Sequence, residues 1–253
     1  LISMIWLIRF ILFSSVLLGI LLNSAPTGID LDLVNKPAFE SWNNFLGCDR
    51  LGRDVFAMYS YGVVSTVLIA LPARLITLIF SLCVTLFGYI LGKSFGFIMD
   101  QLAYVFLSIP SLLIALLVVA SLGAGFFSLP IAIVLSDWAM SYESMKAKLR
   151  EIQNGGYVQA SFAMGATKSH VFIYHIIPGL SSMLWYLFIT GVPTVIMALA
   201  IFSYLGVNWA GDYLGPGLGE QIAFSGDYFQ LSPTAVFVPV IGIILLVVGL
   251  GRK

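Results

Sequence analysis

The sequence predicts an all-α polytopic membrane protein with about six transmembrane helices. Three observations predict it. Of the 253 residues, 60% are hydrophobic and 9% charged, where a soluble domain carries about 25% charged residues; the mean hydropathy is +1.02. Apolar runs near or above the ~20 residues that cross a bilayer recur along the chain. Basic residues gather on one set of the connections between those runs, the asymmetry that orients a polytopic protein. Backbone groups in lipid must be paired within each segment, so the spans are helices. The short alternating segments of a transmembrane barrel are absent from the sequence.

The first run, residues 4–22, reads as a retained span, since Asn23-Ser24-Ala25 resembles a cleavage site only weakly. A polar segment occupies 23–61. Further runs follow at 63–91, 98–122, 129–145, 179–204 and 233–250, with a basic loop at 157–178 and a Gly-rich segment at 205–231. The chain thus divides into residues 1–62, a first helix with its polar segment, and 63–253, a core of five helices carrying a loop at 155–178. Lys93, Lys146, Lys148, Arg150, Lys168, Arg252 and Lys253 fall on one side. Lys36, Arg50 and Arg53 fall on the other, among the acids Asp30, Asp32, Glu40, Asp49, Asp54, Asp212, Glu220 and Asp227. The first set is expected in the cytoplasm, with both termini there too.

Composition also excludes functions. Lys plus Arg equals Asp plus Glu, so there is no electrostatic case for nucleic acid. Cys48 and Cys83 lie in different segments, and Cys83 reads as a small buried residue. His170 and His175 are five apart and off a common helical face, which argues against a metal pair. Asp100, Asp137, Glu143 and the histidines form no protease motif. Gly88-Tyr89-Ile90-Leu91-Gly92-Lys93-Ser94 has three residues between its glycines where a P-loop needs four, and it ends an apolar helix. Gly88, Gly92 and Gly96 read instead as a close-packing face between helices.

The loop YVQASFAMGATKSHVFIYHIIP, 157–178, interrupts the apolar pattern. Two helical turns are expected up to Met164, a sharp turn at Gly165, and a second short helix over 168–176 N-capped by Thr167. Pro178 is expected to mark a break before the next span. Ala160 and Ala163 would let a surface approach closely, with Tyr157, Phe162 and Met164 as apolar contacts. From spacing alone, partner docking and an amphipathic helix lying on lipid headgroups both fit. Arg74, after Pro72, and Asp137 with Trp138 sit within spans. Buried ionisable groups there line a path or pair with one another, and Arg74 could also snorkel outward.

The order Gln159-Ala160-Ser161, Gly165, Ile177-Pro178 resembles the EAA loop of ABC-transporter permeases, with Gln for Glu and Ser for the second Ala. Leu46-Gly47-Cys48-Asp49-Arg50-Leu51-Gly52-Arg53-Asp54-Val55 resembles the LGTDxxGRDV signature of C-type permeases in dipeptide, oligopeptide and nickel importers, with Cys48 for Thr. By residues alone the stretch reads as a solvated charged turn leading into an outer amphipathic helix, in which Arg53 could pair with Asp49 or Asp54. Phe202-Ser203-Tyr204-Leu205-Gly206-Val207 is similar to the family's SFLGLG segment, but the part that follows is altered to Gly215-Pro216-Gly217-Leu218-Gly219. Glu143 stands where the family often has Arg. The resemblance runs from about residue 45 onward and implies a type I ABC importer permease fold with a cytoplasmic coupling helix.

It further implies a non-catalytic inner-membrane subunit with no cofactor of its own, ATP and magnesium being bound by partners. Those partners are a second permease, two cytoplasmic ABC ATPases and an extracytoplasmic substrate-binding protein, within membrane lipid. ATPase coupling would fall to Tyr157, Gln159, Ala160, Ser161, Gly165, Ala166 and Pro178. The signature turn would be Gly47, Asp49, Gly52, Arg53 and Asp54, and candidate pathway residues Arg74, Asp137 and Trp138. Peptide is the default substrate, nickel or a metallophore the alternative within the family. A self-contained secondary transporter would need more intramembrane charges and repeated halves.

Overall fold

The computed structural model describes residues 2–22, 28–123, 125, 127–207 and 215–251, and among them the regular structure is helical. Asn23, Ser24, Ala25, Asp212, Arg252 and Lys253, which entered the sequence reading, lie outside the described residues. The helices are α1 (Ile2–Leu22), α2 (Val55–Leu91), α3 (Lys93–Ser108), α4 (Ser111–Leu122), α5 (Ser128–Gln153), α6 (Gly156–Ala163), α7 (Lys168–Val171), α8 (Ile177–Tyr204), α9 (Leu218–Gly226) and α10 (Thr234–Leu250). A short 3-10 turn, Leu31–Leu33, lies between α1 and α2.

Two stretches, Val55–Leu91 and Lys168–Tyr204, are single helices long and apolar enough to span a membrane, and α3 with α4 makes a third if that bent pair is one span. Ile5–Leu21 and Thr234–Leu250 are shorter apolar helices. The run at 63–91 starts earlier than expected, because Asp54 Oδ1 accepts from Ala57 N at 2.7 Å and caps the helix eight residues upstream. The 62/63 division of the sequence therefore passes through α2.

Two expected outlines change. The run 98–122 is not one straight span: α3 and α4 meet at 93°. Pro110 lacks an N–H and pushes Ile109 to an extended conformation, φ −105° and ψ 133°, which ends α3. Conversely, Pro178 breaks nothing. Phe172–Ile176 forms a π turn ahead of it, and the helix continues from Lys168 to Tyr204. The wider turn takes up the backbone bond and the space that a proline ring denies to a regular helix.

α2 is the central element and packs against α1, α3, α5, α8, α9 and α10. The main core joins Ala70 and Ala73 of α2, Leu129 and Ala132 of α5, Ile196, Leu199 and Phe202 of α8, and Leu246 of α10. Small residues on α2 permit close approach where apolar side chains also face lipid tails and exclude no water. At Gly19 of α1, an added Cβ would lie 1.8 Å from Ser60 Oγ. Arg9 Nε donates to Gly249 O at 2.8 Å, tying α1 to α10. Outward faces are apolar: Trp6, Phe10, Phe13 and Leu21 on α1, and Phe97, Ile98 and Val105 on α3, are exposed. Cys83 is exposed as well, on the outer face of α2, so it is not the buried residue expected from its apolar surroundings.

Gly219 brings α9 onto the end of α8, where an added Cβ would sit 1.9 Å from Ala200 O. Gly219→Ala is therefore expected to lower stability by about 1–3 kcal/mol, because the clash is with backbone. Gly226→Ala, at a position with nothing within 4 Å among the described residues, is expected to change it by less than about 0.5 kcal/mol. Thermal unfolding of both variants in detergent checks the contrast.

Candidate functional site

The signature turn folds as a compact knot above α2. Gly47 (φ +79°) and Gly52 (φ +73°) occupy the left-handed region, and at Gly52 a Cβ would lie 1.7 Å from Asp30 O, so neither position accepts a side chain. Between them Asp49 Oδ1 accepts from Leu51 N and Arg53 N, both at 2.9 Å. Its Oδ2 takes Arg53 Nε at 2.8 Å and Nη2 at 2.6 Å. Asp49 is 1% exposed. The turn is thus not the solvated charged turn that the residues suggest on their own, and Arg53 pairs with Asp49 while Asp54 caps α2. Asn44 Nδ2 donates to the other oxygen of Asp54 at 3.0 Å.

The knot is bound to the region after α8. Arg50 lies over the rings of Phe224 (3.6 Å) and Tyr228 (4.6 Å), and Arg53 over Phe224 (4.7 Å). Ser232 Oγ donates to Cys48 O at 2.9 Å. Buried Gln221 donates to Met58 O and Pro216 O, both at 2.8 Å. The signature turn and α9 thereby form one cap over one end of the bundle. The sequence reading named both stretches separately and missed Gln221 and Phe224; a polar and an aromatic residue in a Gly-rich stretch carry no periodic signal.

Within the bundle, Arg74 is 5% exposed. Its Nη1 donates to Asp137 Oδ2 and, at 3.3 Å, to Ser141 Oγ, while Nε and Nη2 donate to Leu187 O at 3.2 and 2.7 Å. Arg74 does not snorkel. It fills the space left by Gly191, where a Cβ would stand 2.2 Å from the guanidinium. Asp137 borders two cavities. One of about 180 Å³ holds Arg74, Ser141 and Thr190; one of about 240 Å³ holds Ser111, Ser136 and Met197; Thr194 lines both. Trp138 faces away from them, packed on Phe80, Phe106 and Tyr142, and it is buried in a separate apolar cluster.

The loop after α5 makes an elbow. α6 runs for two turns, Gly165 (φ +89°) reverses the chain, and Thr167 Oγ1 accepts from His170 N at 3.2 Å to cap α7. α6 rests on the body through buried Val158 and Ser161. Ser161 Oγ and His175 Nε2 share a hydrogen bond of 3.0 Å, and the Tyr157 and His175 rings lie 5.4 Å apart. Gln159 Nε2 donates to Gln153 O at 3.0 Å. Tyr157, Ala160, Phe162 and Met164 are left exposed, Met164 at 81%. Ala166 packs against the cluster of Leu149, Val158 and Val171, and Pro178 lies in the first turn of α8. His175, set aside as a metal ligand, is the residue that holds α6 to the π turn.

A family model described as "Binding-protein-dependent transport system inner membrane component" matches residues 84–251. The chain is similar to the oligopeptide transport system permease protein OppC of Bacillus subtilis (strain 168), 29% identical over 184 residues, which cover 70% of this chain and 58% of that protein. It is similar to the dipeptide transport system permease protein DppC of Alkalihalophilus pseudofirmus, 25% identical over 213 residues, 84% of this chain and 68% of that protein. The dipeptide transport system permease protein DppC of Bacillus subtilis (strain 168) is 25% identical over 209 residues, 80% and 63% of the two chains. The chain thus spans little more than half the length of the first of these relatives, the OppC protein.

Arg74→Met alone is expected to cost about 3–5 kcal/mol, by leaving Asp137 without its partner, whereas Arg74→Met combined with Asp137→Leu should recover most of the loss. Thermal unfolding of the two variants tests this. Burial, chiefly, and then the nearby Asp54 carboxylate push the Cys48 thiol up to about 11. At pH 8 roughly one molecule in a thousand then carries the thiolate. Cys48 is expected to resist maleimide in the folded protein and to react within minutes once it is unfolded, read by mass of the peptide.

Proposed function

As this chain belongs to the family of binding-protein-dependent transport system inner membrane components, we propose that it is a permease subunit of an ATP-driven peptide importer. It forms half of the translocation pathway, has no cofactor of its own, and couples through the α6 elbow to ATPases that bind ATP and magnesium. Peptide is favoured because the relatives named above are oligopeptide and dipeptide permeases.

The observation that carries the coupling role is the elbow itself. α6 is anchored on one face by Val158 and the Ser161–His175 hydrogen bond, and it offers Tyr157, Ala160, Phe162 and Met164 on the other. A short rigid helix with an apolar outer face and a small residue at its centre suits a groove in a partner protein. The basic residues Lys146, Lys148, Arg150 and Lys168 flank it, which supports a cytoplasmic side for this end. The chain would have about six spans in the inner membrane, with both termini cytoplasmic.

At the opposite end the cap of signature turn and α9 is the surface for a substrate-binding protein. Between the two, the cavities around Asp137 belong to the pathway shared with a second permease. Closure of an ATPase pair would draw the elbows together and turn the helices about that pathway, moving substrate inward by alternating access. Trp138 takes a packing role in this scheme.

Tagged chain purified with its complex in mild detergent is expected to bring a second permease and one or two ATPases with vanadate-sensitive hydrolysis. Ala160→Trp and Gly165→Pro should each cut ATP-dependent uptake of a labelled dipeptide by about tenfold or more, the weight of one central interface residue. Uptake unaltered by both changes overturns the coupling assignment. Uptake by the lone chain in liposomes without ATP overturns the importer reading.

A further inference from the structure

Gly88, Gly92 and Gly96 do not form the close-packed helix face that their spacing suggests. Among the described residues nothing lies within 4 Å of a Cβ added at Gly92 or Gly96, and Gly88 meets Gly96 Cα at 3.9 Å. Instead they line a cleft of about 590 Å³ bounded by α2, α3 and α5. Lys93, Lys146 and Arg150 border it, against Asp100 as the sole carboxylate among its lining residues.

Asp100 is already committed. It holds Lys146 in an ion pair and accepts from Tyr142 Oη at 2.7 Å. Lys146 is also within 3.4 Å of Glu143. Lys93 and Arg150 make no ion pair among the described residues and are exposed at the mouth of the cleft. Lys93, and Arg150 whose charge reaches Asp100 without a contact ion pair, stand over a roomy, glycine-lined floor and present an anion site. The same stretch of chain exposes Ile90, Leu91, Phe97 and Ile98, so the basic mouth adjoins apolar faces turned outward. A soluble anion has no use for those faces; acyl chains do. Basic pockets between spanning helices at the level of headgroups are the general form of an anionic-lipid site.

We propose that this cleft binds the phosphodiester headgroup of an anionic phospholipid, with Lys93 and Arg150 facing the phosphate and the acyl chains lying along Ile90, Leu91, Phe97 and Ile98. The cleft adjoins the elbow, because Gln153 lines it and its carbonyl holds Gln159 of α6. The site is independent of which substrate the pathway carries.

The experiment is native mass spectrometry of the full chain with its complex, exchanged into detergent micelles holding equal amounts of phosphatidylglycerol and phosphatidylcholine. Phosphatidylglycerol is expected to be retained preferentially, by about fivefold for each of Lys93 and Arg150. The double variant K93Q/R150Q should lose that preference, whereas K148Q should keep it, since Lys148 pairs with Glu151 at 2.7 Å and does not line the cleft. Equal retention of both lipids overturns the proposal, as does an equal loss in K148Q, which would make the effect general surface charge. Displacement of phosphatidylglycerol by inorganic phosphate in the same micelles would make the ligand a free anion and would also overturn it.

Discussion

The bundle depends on the guanidinium of Arg74. A charge within a membrane span is costly unless its hydrogen-bonding groups are met, and here one side chain on α2 finds Asp137 and Ser141 on α5 and Leu187 O on α8. Lipid tails are as apolar as the helix surfaces, so burial of apolar area between spans contributes little to their association. A polar cluster spanning three helices supplies the register that apolar packing leaves loose. Gly191 is small because the guanidinium occupies the place of its Cβ. Asp137 of the pair also borders two cavities, so the group that locks the helices together lies beside open space within the bundle.

Both ends of the bundle are built on the same principle of satisfied polar groups at positions where glycine lets the chain approach. At one end Asp49 gathers two backbone N–H groups and Arg53 inside a turn made by Gly47 and Gly52. The cap then closes through arginine–aromatic stacking on α9. At the other end, α6 is held by the hydrogen bond between Ser161 and His175, by that of Gln159 to Gln153 O, and by apolar contacts of Val158. The π turn next to it lets Lys168–Tyr204 run as one helix through Pro178. The Lys168–Tyr204 helix thus carries both His175, hydrogen-bonded to Ser161 of α6, and Leu187, whose carbonyl accepts from Arg74.

The helical class, the positions of the main apolar runs and the family were legible in the sequence, because hydropathy, charge asymmetry and short motifs are properties of local composition. The capped start of α2 was legible in Asp54 only after the turn before it was known. The pairing of Arg74 with Asp137 was open: sixty-three positions separate them, and nothing local distinguishes pairing from snorkelling. Trp138 looked like a pathway residue by its adjacency to Asp137, yet successive helical residues point about 100° apart, and it packs on the opposite side.

By itself the sequence determined which stretches are helical and apolar, which end of the protein is basic, and which turns require glycine, since each follows from local chemistry and backbone sterics. Only the tertiary structure decided that the third apolar run is bent, that Pro178 is absorbed by a π turn, that His175 holds the elbow, and that Gly88, Gly92 and Gly96 open onto a basic cleft. Each of those outcomes turns on what the rest of the chain places opposite a residue, and a glycine at a given spacing reads the same whether a helix or an empty space faces it.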